Sequence, residues 1–144
     1  MLGVKMLMID DEEGFVAAME KRLTHRDIDV LVAYNGEDGL KKLDDNPDTD
    51  VVLLDVKMPG MDGIETLRRI RAAHPLVEVI MLTGHATVES AIEGMRLGAF
   101  DYLMKPADTD LLIQKIQQAH KKRHDHQAKI LEAFGKELRE RHGA

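Results

Sequence analysis

Short apolar runs alternate with segments of helical periodicity along the chain, and this alternation constrains the fold more than any other feature. The runs with strand-like composition are Lys5–Ile9, Ile28–Ala33, Val51–Leu54, Val77–Leu82 and Asp101–Met104. A run such as Val51–Leu54 is apolar on both faces, which is typical of a strand covered by helices on each side. Five alternating βα units predict an α/β fold with right-handed crossovers and a parallel sheet between two helical layers.

The segments between the strands carry signals for where helices begin and end. Asn35 is a favourable N-cap, the prolines at 47 and 75 stop the helices before them, and Gly98 suits the position after a helix C-terminus. The predicted helices are Glu12–Thr24, Gly36–Asn46, Ile64–Ala73, Val88–Leu97 and a last helix from about residue 110 to residue 140.

The last predicted helix is longer than the domain needs. Its apolar spacing lapses over residues 120–126 and resumes at Ile130, Leu131, Phe134 and Leu138. We expect one continuous helix, and the alternative is a break near residues 124–127 followed by a separate short helix. The chain is therefore divided into a domain over residues 1–120 and a C-terminal helical extension over residues 121–144. The apolar stripe of the extension suits a dimer seam or a contact with a neighbouring element.

Three histidines in this helix, His120, His124 and His126, raise the question of a metal site. His120 and His124 share one helix face at a spacing of four residues. Because the sequence offers no evident third ligand or carboxylate in register, it favours a solvated helix face over a metal site.

Composition and charge exclude several classes of function. The absence of cysteine excludes disulfides and thiol nucleophiles, and an aromatic content of 3% argues against a surface that stacks nucleic-acid bases. The net charge of −6 combines −10 over residues 1–110 with +4 over residues 111–144, so the acidic body predicts no direct binding of nucleic acid. Short apolar runs predict no membrane span, and the N-terminal sequence has no signal-peptide layout, so we expect a cytoplasmic protein.

Polar side chains follow four of the five predicted strands. Asp10 and Asp11 follow the first strand, Asp55 the third, Thr83 the fourth and Lys105 the fifth. Because the carboxyl ends of parallel strands share one edge of a sheet, we expect these side chains to converge there. Each residue alone is consistent with a turn, a cap or a surface ion pair, but their joint placement indicates a site.

The chemistry of this group favours a hard cation and a phosphoryl ligand. Crowded carboxylates repel one another unless counter-charges are present, and oxygen-only ligands favour Mg²⁺ over Zn²⁺. A metal with open positions and a lysine suit a phosphoryl group, whose transfer depends mainly on positioning and charge neutralisation. Asp55 could itself attack phosphorus to give an aspartyl phosphate.

The sequence resembles the receiver domain of two-component response regulators, the CheY-like family, over about residues 4–120. The resemblance is carried by the acidic pair Asp10–Asp11 and by the segments Asp55–Gly63, Thr83–Ala86 and Phe100–Pro106. It implies a doubly wound, flavodoxin-like fold with a five-stranded parallel sheet in the order 2-1-3-4-5, here with an extended C-terminal helix.

The resemblance also implies a role for each residue at the strand ends. Asp55 would accept a phosphoryl group from a histidine kinase. Asp10, Asp11 and Asp55 would hold Mg²⁺, with the backbone carbonyl of Lys57 as a further ligand. Thr83 would hydrogen-bond the phosphoryl group and Lys105 would form an ion pair with it.

Further roles implied by the resemblance concern switching. Tyr102 would move inward as Thr83 shifts, the Lys105–Pro106 peptide would be cis, and the side chains of Lys57 and His85 would flank the phosphoryl group. The face of helix 4, strand 5 and helix 5 would then control a downstream target protein or output domain. A homodimer through helices 4 and 5 and the extension is a further expectation. Such a protein is a phospho-acceptor switch that catalyses its own phosphorylation and dephosphorylation, not a turnover enzyme.

Two other classes of protein are weighed against this one. A Mg²⁺-dependent phosphohydrolase with an Asp nucleophile normally has that residue after its first strand and a second Asp two positions later, whereas this chain has Asp10, Asp11 and Glu12 there. A flavin-binding protein of similar fold needs Ser, Thr or Gly in the first βα turn to bind phosphate, and the acidic residues of this turn would repel it.

Overall fold

Five parallel strands form one sheet in the computed structural model, which describes residues 3–141. The strands are β1 (Val4–Ile9), β2 (Ile28–Ala33), β3 (Val51–Leu54), β4 (Glu78–Thr83) and β5 (Asp101–Met104). Their order is β2-β1-β3-β4-β5, and every neighbouring pair is parallel. The predicted α/β class and strand order are therefore confirmed, and the predicted bounds differ by one residue at β1 and β4.

Five helices connect and follow the strands in the described part of the chain: α1 (Glu13–Thr24), α2 (Gly36–Asp45), α3 (Gly63–Ala73), α4 (Val88–Arg96) and α5 (Thr109–Arg141). Asn35 caps α2 as predicted, because its side chain accepts a hydrogen bond from the Asp38 N–H at 2.8 Å. Asp62 does the same for α3 through the Glu65 N–H, and Thr87 and Ser90 form a capping box at α4.

Alternate residues of the strands face two separate apolar cores, one on each side of the sheet. On β1, Met6 and Met8 belong to the core with α1 and α5, whereas Leu7 and Ile9 belong to the core with α2 and α3. Both faces of the sheet are thus buried, which holds the strands rigidly and fixes the edge at which their carboxyl ends emerge.

Helix α5 runs without a break for 33 residues, so the continuous helix is confirmed and the alternative of a separate short helix is wrong. Its last buried residue is Arg123, and the apolar side chains of the extension, Ile130, Leu131, Phe134 and Leu138, are exposed. The division at residue 120 falls inside this helix and stays a prediction. The outer ends of the two predicted segments, residues 1–2 and 142–144, lie outside the described residues.

The expected solvated face over residues 120–126 is wrong at one position, Arg123, whereas His120 is half-buried and His124 is exposed. Arg123 is buried against Asp50, and the imidazoles of His120 and His124 also face the Asp50 carboxylate. Asp50 is 70 or more residues away from these positions in sequence, so helical periodicity gives no sign of it. None of the helices in the described chain is both long and apolar enough to cross a membrane.

Candidate functional site

Asp10, Asp11 and Asp55 come together at the carboxyl edge of the sheet, as the sequence predicts. The Asp10 N–H donates to the Ala33 carbonyl at 3.1 Å and the Asp55 N–H donates to the Ile9 carbonyl at 3.0 Å. The hydrogen bonds between neighbouring strands therefore continue past the ends of β1 and β3, and they hold the backbone of Asp10 and of Asp55 in place. One carboxylate oxygen from each of the three residues lies within 4.8 Å of the others, and Asp10 and Asp55 are buried.

Lys105 places the counter-charge inside this acidic group. Its Nζ lies 2.7 Å from Asp10 Oδ2, 3.6 Å from Asp55 Oδ2 and 3.3 Å from Glu12 Oε1. The Phe15 ring lies 4.0 Å from the same Nζ, close enough for a cation–π contact. The Lys105 N–H donates to the Thr83 carbonyl, and the Lys105–Pro106 peptide is cis.

The pKa values of Asp10 and Lys105 are both raised, for different physical reasons. Burial raises the pKa of Asp10, and the neighbouring Asp55 charge raises it further, against hydrogen bonds from Lys105 and the Glu12 N–H. Burial alone would lower the pKa of Lys105, but its hydrogen bond to Asp10 and the charges of Asp10 and Asp55 outweigh burial and raise it. One amine therefore faces three aspartates, and the site carries excess negative charge.

Asp55 has a buried oxygen with unused hydrogen-bonding capacity. Its Oδ1 accepts the Val56 N–H at 2.7 Å, but its Oδ2 has no hydrogen-bond partner within the described residues. A buried carboxylate oxygen without a partner is costly unless a cation or another group completes its surroundings. The donor set consists of carboxylate oxygens, which fits a hard divalent ion such as Mg²⁺.

Thr83 and Tyr102 occupy the fourth and fifth strands beside this group. Thr83 is fully buried, and its Oγ1 accepts the His85 N–H at 3.0 Å. The half-buried Tyr102 hydroxyl lies 2.6 Å from Ser90 Oγ in the first turn of α4. The inward movement predicted for Tyr102 stays a prediction, whereas its bond to Ser90 is a contact that sequence analysis missed.

An open depression of about 360 Å³ lies beside the acidic group and is lined by Asp11. Its rim includes Lys57 and His85, the two positions that the resemblance places beside a phosphoryl group. The side chain of Lys57 is exposed, and the role of its carbonyl as a metal ligand stays a prediction. Glu12 also lines the depression and binds Lys105, a contact that its position two residues after Asp10 could have indicated.

Gly63 fixes the path of the loop that follows Asp55. Its N–H donates to the Val56 carbonyl at 2.7 Å, which closes the loop before α3 begins. A Cβ at this position would lie 2.0 Å from the Asp55 carbonyl oxygen and 2.7 Å from Val56 Cα. Glycine is therefore needed here because backbone, not a movable side chain, occupies the space.

This arrangement agrees with the comparison against known protein families. A family model described as the response regulator receiver domain matches residues 6–117, which is most of the chain. The chain belongs to the response regulator receiver domain family. The predicted family is thereby confirmed, and the phosphohydrolase alternative is not favoured.

Relatives of this receiver domain include larger regulatory proteins. It is 36% identical over 141 residues to the regulatory protein AtoC of Escherichia coli. The aligned region covers 97% of this chain and 28% of that protein. It is 35% identical over 116 residues to the transcriptional regulatory protein ZraR of Salmonella typhimurium, covering 81% of this chain and 26% of that protein. The receiver domain thus spans about a quarter of the length of these relatives.

Two solved structures described as receiver domains have the same fold. One from Clostridium thermocellum has a TM-score of 0.79 at 36% identity and covers 89% of this chain and 98% of that chain. A CheY-like one from Methanospirillum hungatei has a TM-score of 0.81 at 28% identity, covering 85% and 98% respectively. The agreement extends over nearly the whole of each solved domain.

Proposed function

We propose that this receiver domain accepts a phosphoryl group on Asp55 from the phosphohistidine of a histidine kinase, in a Mg²⁺-dependent reaction. The observation that carries the proposal is the buried Asp55 Oδ2, which has no hydrogen-bond partner among the described residues and lies 3.6 Å from the Lys105 amine. A carboxylate oxygen placed in this way is an available nucleophile, and a cation stands beside the position at which charge would build up.

In the proposed transfer, an Asp55 oxygen forms a bond to phosphorus while the bond from phosphorus to the kinase imidazole nitrogen breaks. The imidazole leaves with the electron pair of that bond. Mg²⁺ held by Asp10, Asp11 and Asp55, with the Lys57 carbonyl, would neutralise charge on the phosphoryl oxygens. Lys105 would pair with one phosphoryl oxygen and the Thr83 hydroxyl would donate to another.

Phosphorylation would then act on the face of α4, β5 and α5. This face exposes apolar side chains on all three elements: Val88, Ile92, Met95, Met104 and Leu111. Tyr102 in β5 bonds to Ser90 in α4, so a shift of the Thr83 segment toward the phosphoryl group would disturb a contact that joins two of these elements. Two surface states separated by a few kcal/mol are enough for a switch.

The partners follow from this mechanism. The exposed apolar face is suited to a downstream target protein or output domain, and α4, α5 and the extension are suited to a homodimer. We propose a cytoplasmic protein that transfers and hydrolyses only its own phosphoryl group and does not turn over a separate metabolite. Direct nucleic-acid binding by this chain is not proposed, because the receiver body is acidic.

Mass spectrometry of the intact protein tests the assignment of Asp55. After incubation with acetyl phosphate and Mg²⁺, the parent protein should gain one phosphoryl group, and omission of Mg²⁺ should abolish most of this gain. Asp55→Asn should gain none, whereas Asp45→Asn, a change at an exposed acid of α2, should behave as the parent. Stoichiometric labelling of Asp55→Asn would contradict the proposal.

A further inference from the structure

A second group of ionisable side chains lies at the opposite edge of the sheet from the acidic site. Asp50 immediately precedes β3, at the amino end of that strand, and His120, Arg123 and His124 approach it from α5. These residues take no part in the proposed phosphoryl transfer. The cluster joins the last helix to the base of the sheet at the point where the helix leaves the domain.

The carboxylate of Asp50 is fixed in position by the groups around it. Asp50 is 5% exposed. Its Oδ2 accepts the Lys5 N–H at 3.0 Å and its Oδ1 accepts Arg123 Nε at 3.1 Å. Arg123 is itself buried and also donates to the Pro47 carbonyl. Hydrogen bonds of this kind orient a carboxylate that binds a metal and leave lone pairs free for the ion.

Both imidazoles direct Nε2 toward this carboxylate. His124 Nε2 lies 3.0 Å from Asp50 Oδ1, and His120 Nε2 lies 3.7 Å from Asp50 Oδ2. One ligand atom from each of the three residues lies within 4.8 Å of the others. In a tetrahedral zinc site with bonds of about 2.0–2.1 Å, ligand atoms stand about 3.4 Å apart. The two imidazoles approach different oxygens of the Asp50 carboxylate, at distances on either side of that value.

We propose that Asp50, His120 and His124 form a binding site for a divalent transition-metal ion, with Zn²⁺ as the best-matched ion. Two imidazoles and one carboxylate are a ligand set that zinc uses when a fourth position is left to water. The side chain of His124 is 53% exposed and that of His120 is 24% exposed, so solvent reaches the site and supplies that water. Imidazole ligands separate this site from the oxygen-only site at the other edge, which suits Mg²⁺.

The charges around the cluster limit how tightly the ion binds. The Arg123 guanidinium repels a cation at this cluster. The neighbouring acid is the buried Glu78 on β4, whose N–H donates to the Asp50 carbonyl. Glu78 Oε2 has no hydrogen-bond partner within the described residues, and its nearest cation is Lys122 Nζ at 3.6 Å. We therefore expect a site of moderate affinity.

Metal binding here would hold the extension in a fixed direction. Two ligands lie on α5 and the third immediately precedes β3. An ion would therefore cross-link the helix to the sheet within one turn of Arg123, the last buried residue of α5. Ligand-linked stabilisation should therefore appear as a rise in melting temperature with Zn²⁺. This effect does not depend on phosphorylation of Asp55.

Isothermal titration calorimetry of the full chain with Zn²⁺, in buffer with excess Mg²⁺ to occupy the acidic site, tests the proposal. The parent protein should bind one Zn²⁺ ion per chain. Loss of an outer-shell partner alone typically weakens metal sites about 10–100-fold, so His120→Gln and His124→Gln should each weaken binding at least about 100-fold. The rise in melting temperature should disappear in the same two variants.

His126→Gln is the matched control, because His126 is an exposed residue of the same helix and does not belong to the cluster. It should bind Zn²⁺ as the parent does. Asp50→Asn could disturb folding through the contacts to Lys5 and Arg123, so the two histidine variants carry the test. Equal Zn²⁺ affinity in the parent and both histidine variants, or no binding by the parent at all, would overturn the proposal.

Discussion

At the scale of single residues, Lys105 holds together a group of side chains that would otherwise repel one another. It contacts Asp10, Glu12 and Asp55 from the end of β5, with its Nζ over the Phe15 ring. A single amine cannot neutralise all the carboxylates around it. Ionisation of Asp10 therefore stays unfavourable, and its pKa is raised by burial and by the Asp55 charge. The acidic site therefore has an unmet demand for positive charge.

The raised pKa of Asp10 predicts how pH affects the metal-free protein. The folded protein holds a proton on Asp10 more tightly than the unfolded chain, in which the pKa of this carboxyl is 3.8. The stability contributed by this group is present below that value and is lost as pH rises through the raised folded pKa. Mg²⁺ needs the ionised carboxylate, so its stabilising effect should grow over the same interval.

Urea unfolding from about pH 4 to about pH 7, with and without Mg²⁺, measures this difference. In Asp10→Asn the part of the pH dependence that belongs to this carboxyl should be absent. A stabilisation by Mg²⁺ that stays constant across the interval would show that ionisation of Asp10 is not linked to metal binding.

At the scale of the elements, the loop from β3 to α3 fixes the position of Asp55. Gly63 bonds to Val56 and leaves no room for a side chain beside the Asp55 carbonyl. The Asp62 side chain then caps α3, which begins at the next residue. The geometry of the acidic site thus depends on the start of a helix that supplies none of its ligands.

Gly63→Ala should destabilise the protein by more than about 2 kcal/mol, because a Cβ would displace backbone at Asp55 and Val56. Chemical denaturation measures the change, and phosphorylation by acetyl phosphate should fall as well. Gly14→Ala on α1 is the control, since no atom lies within 4 Å of a Cβ built there. It should be neutral or stabilising by up to about 1 kcal/mol. Equal stability of the two variants would contradict this account of the loop.

At the scale of the whole molecule, the receiver body is closed on both faces of the sheet, but α5 continues beyond it. The extension exposes Leu131, Phe134 and Leu138 at spacings of three and four residues, which is the pattern of a helix that packs against another. The alignment with AtoC covers 97% of this chain and so includes most of the extension. The extension is thus shared with a larger regulator.

The proposed homodimer predicts that charge on this stripe shifts the oligomeric state. Phe134→Glu should lower the dimer fraction measured by analytical ultracentrifugation, because burial of a charge at an apolar seam is unfavourable. Glu132→Lys, a change at an exposed position near the stripe, should have a much smaller effect. A parent protein that is monomeric at all concentrations, with and without a phosphoryl analogue, would refute the dimer.

The elements, the sheet order and the acidic edge could all be predicted from the sequence. Strand and helix signals are local, as with the Asn35 cap, and residues that follow parallel strands must meet at one edge whatever the details of packing. Asp10, Asp55 and Lys105 could therefore be brought together from sequence alone. Their individual roles in phosphoryl transfer stay predictions.

Contacts between residues that share no periodic pattern could be seen only in the folded chain. Asp50 meets His120, Arg123 and His124 because the amino end of β3 lies next to α5. The spacing of residues within a helix carries no information about a carboxylate 70 or more residues away. Sequence analysis therefore predicts that this polar helix face is solvated, although Arg123 on that face is buried against Asp50.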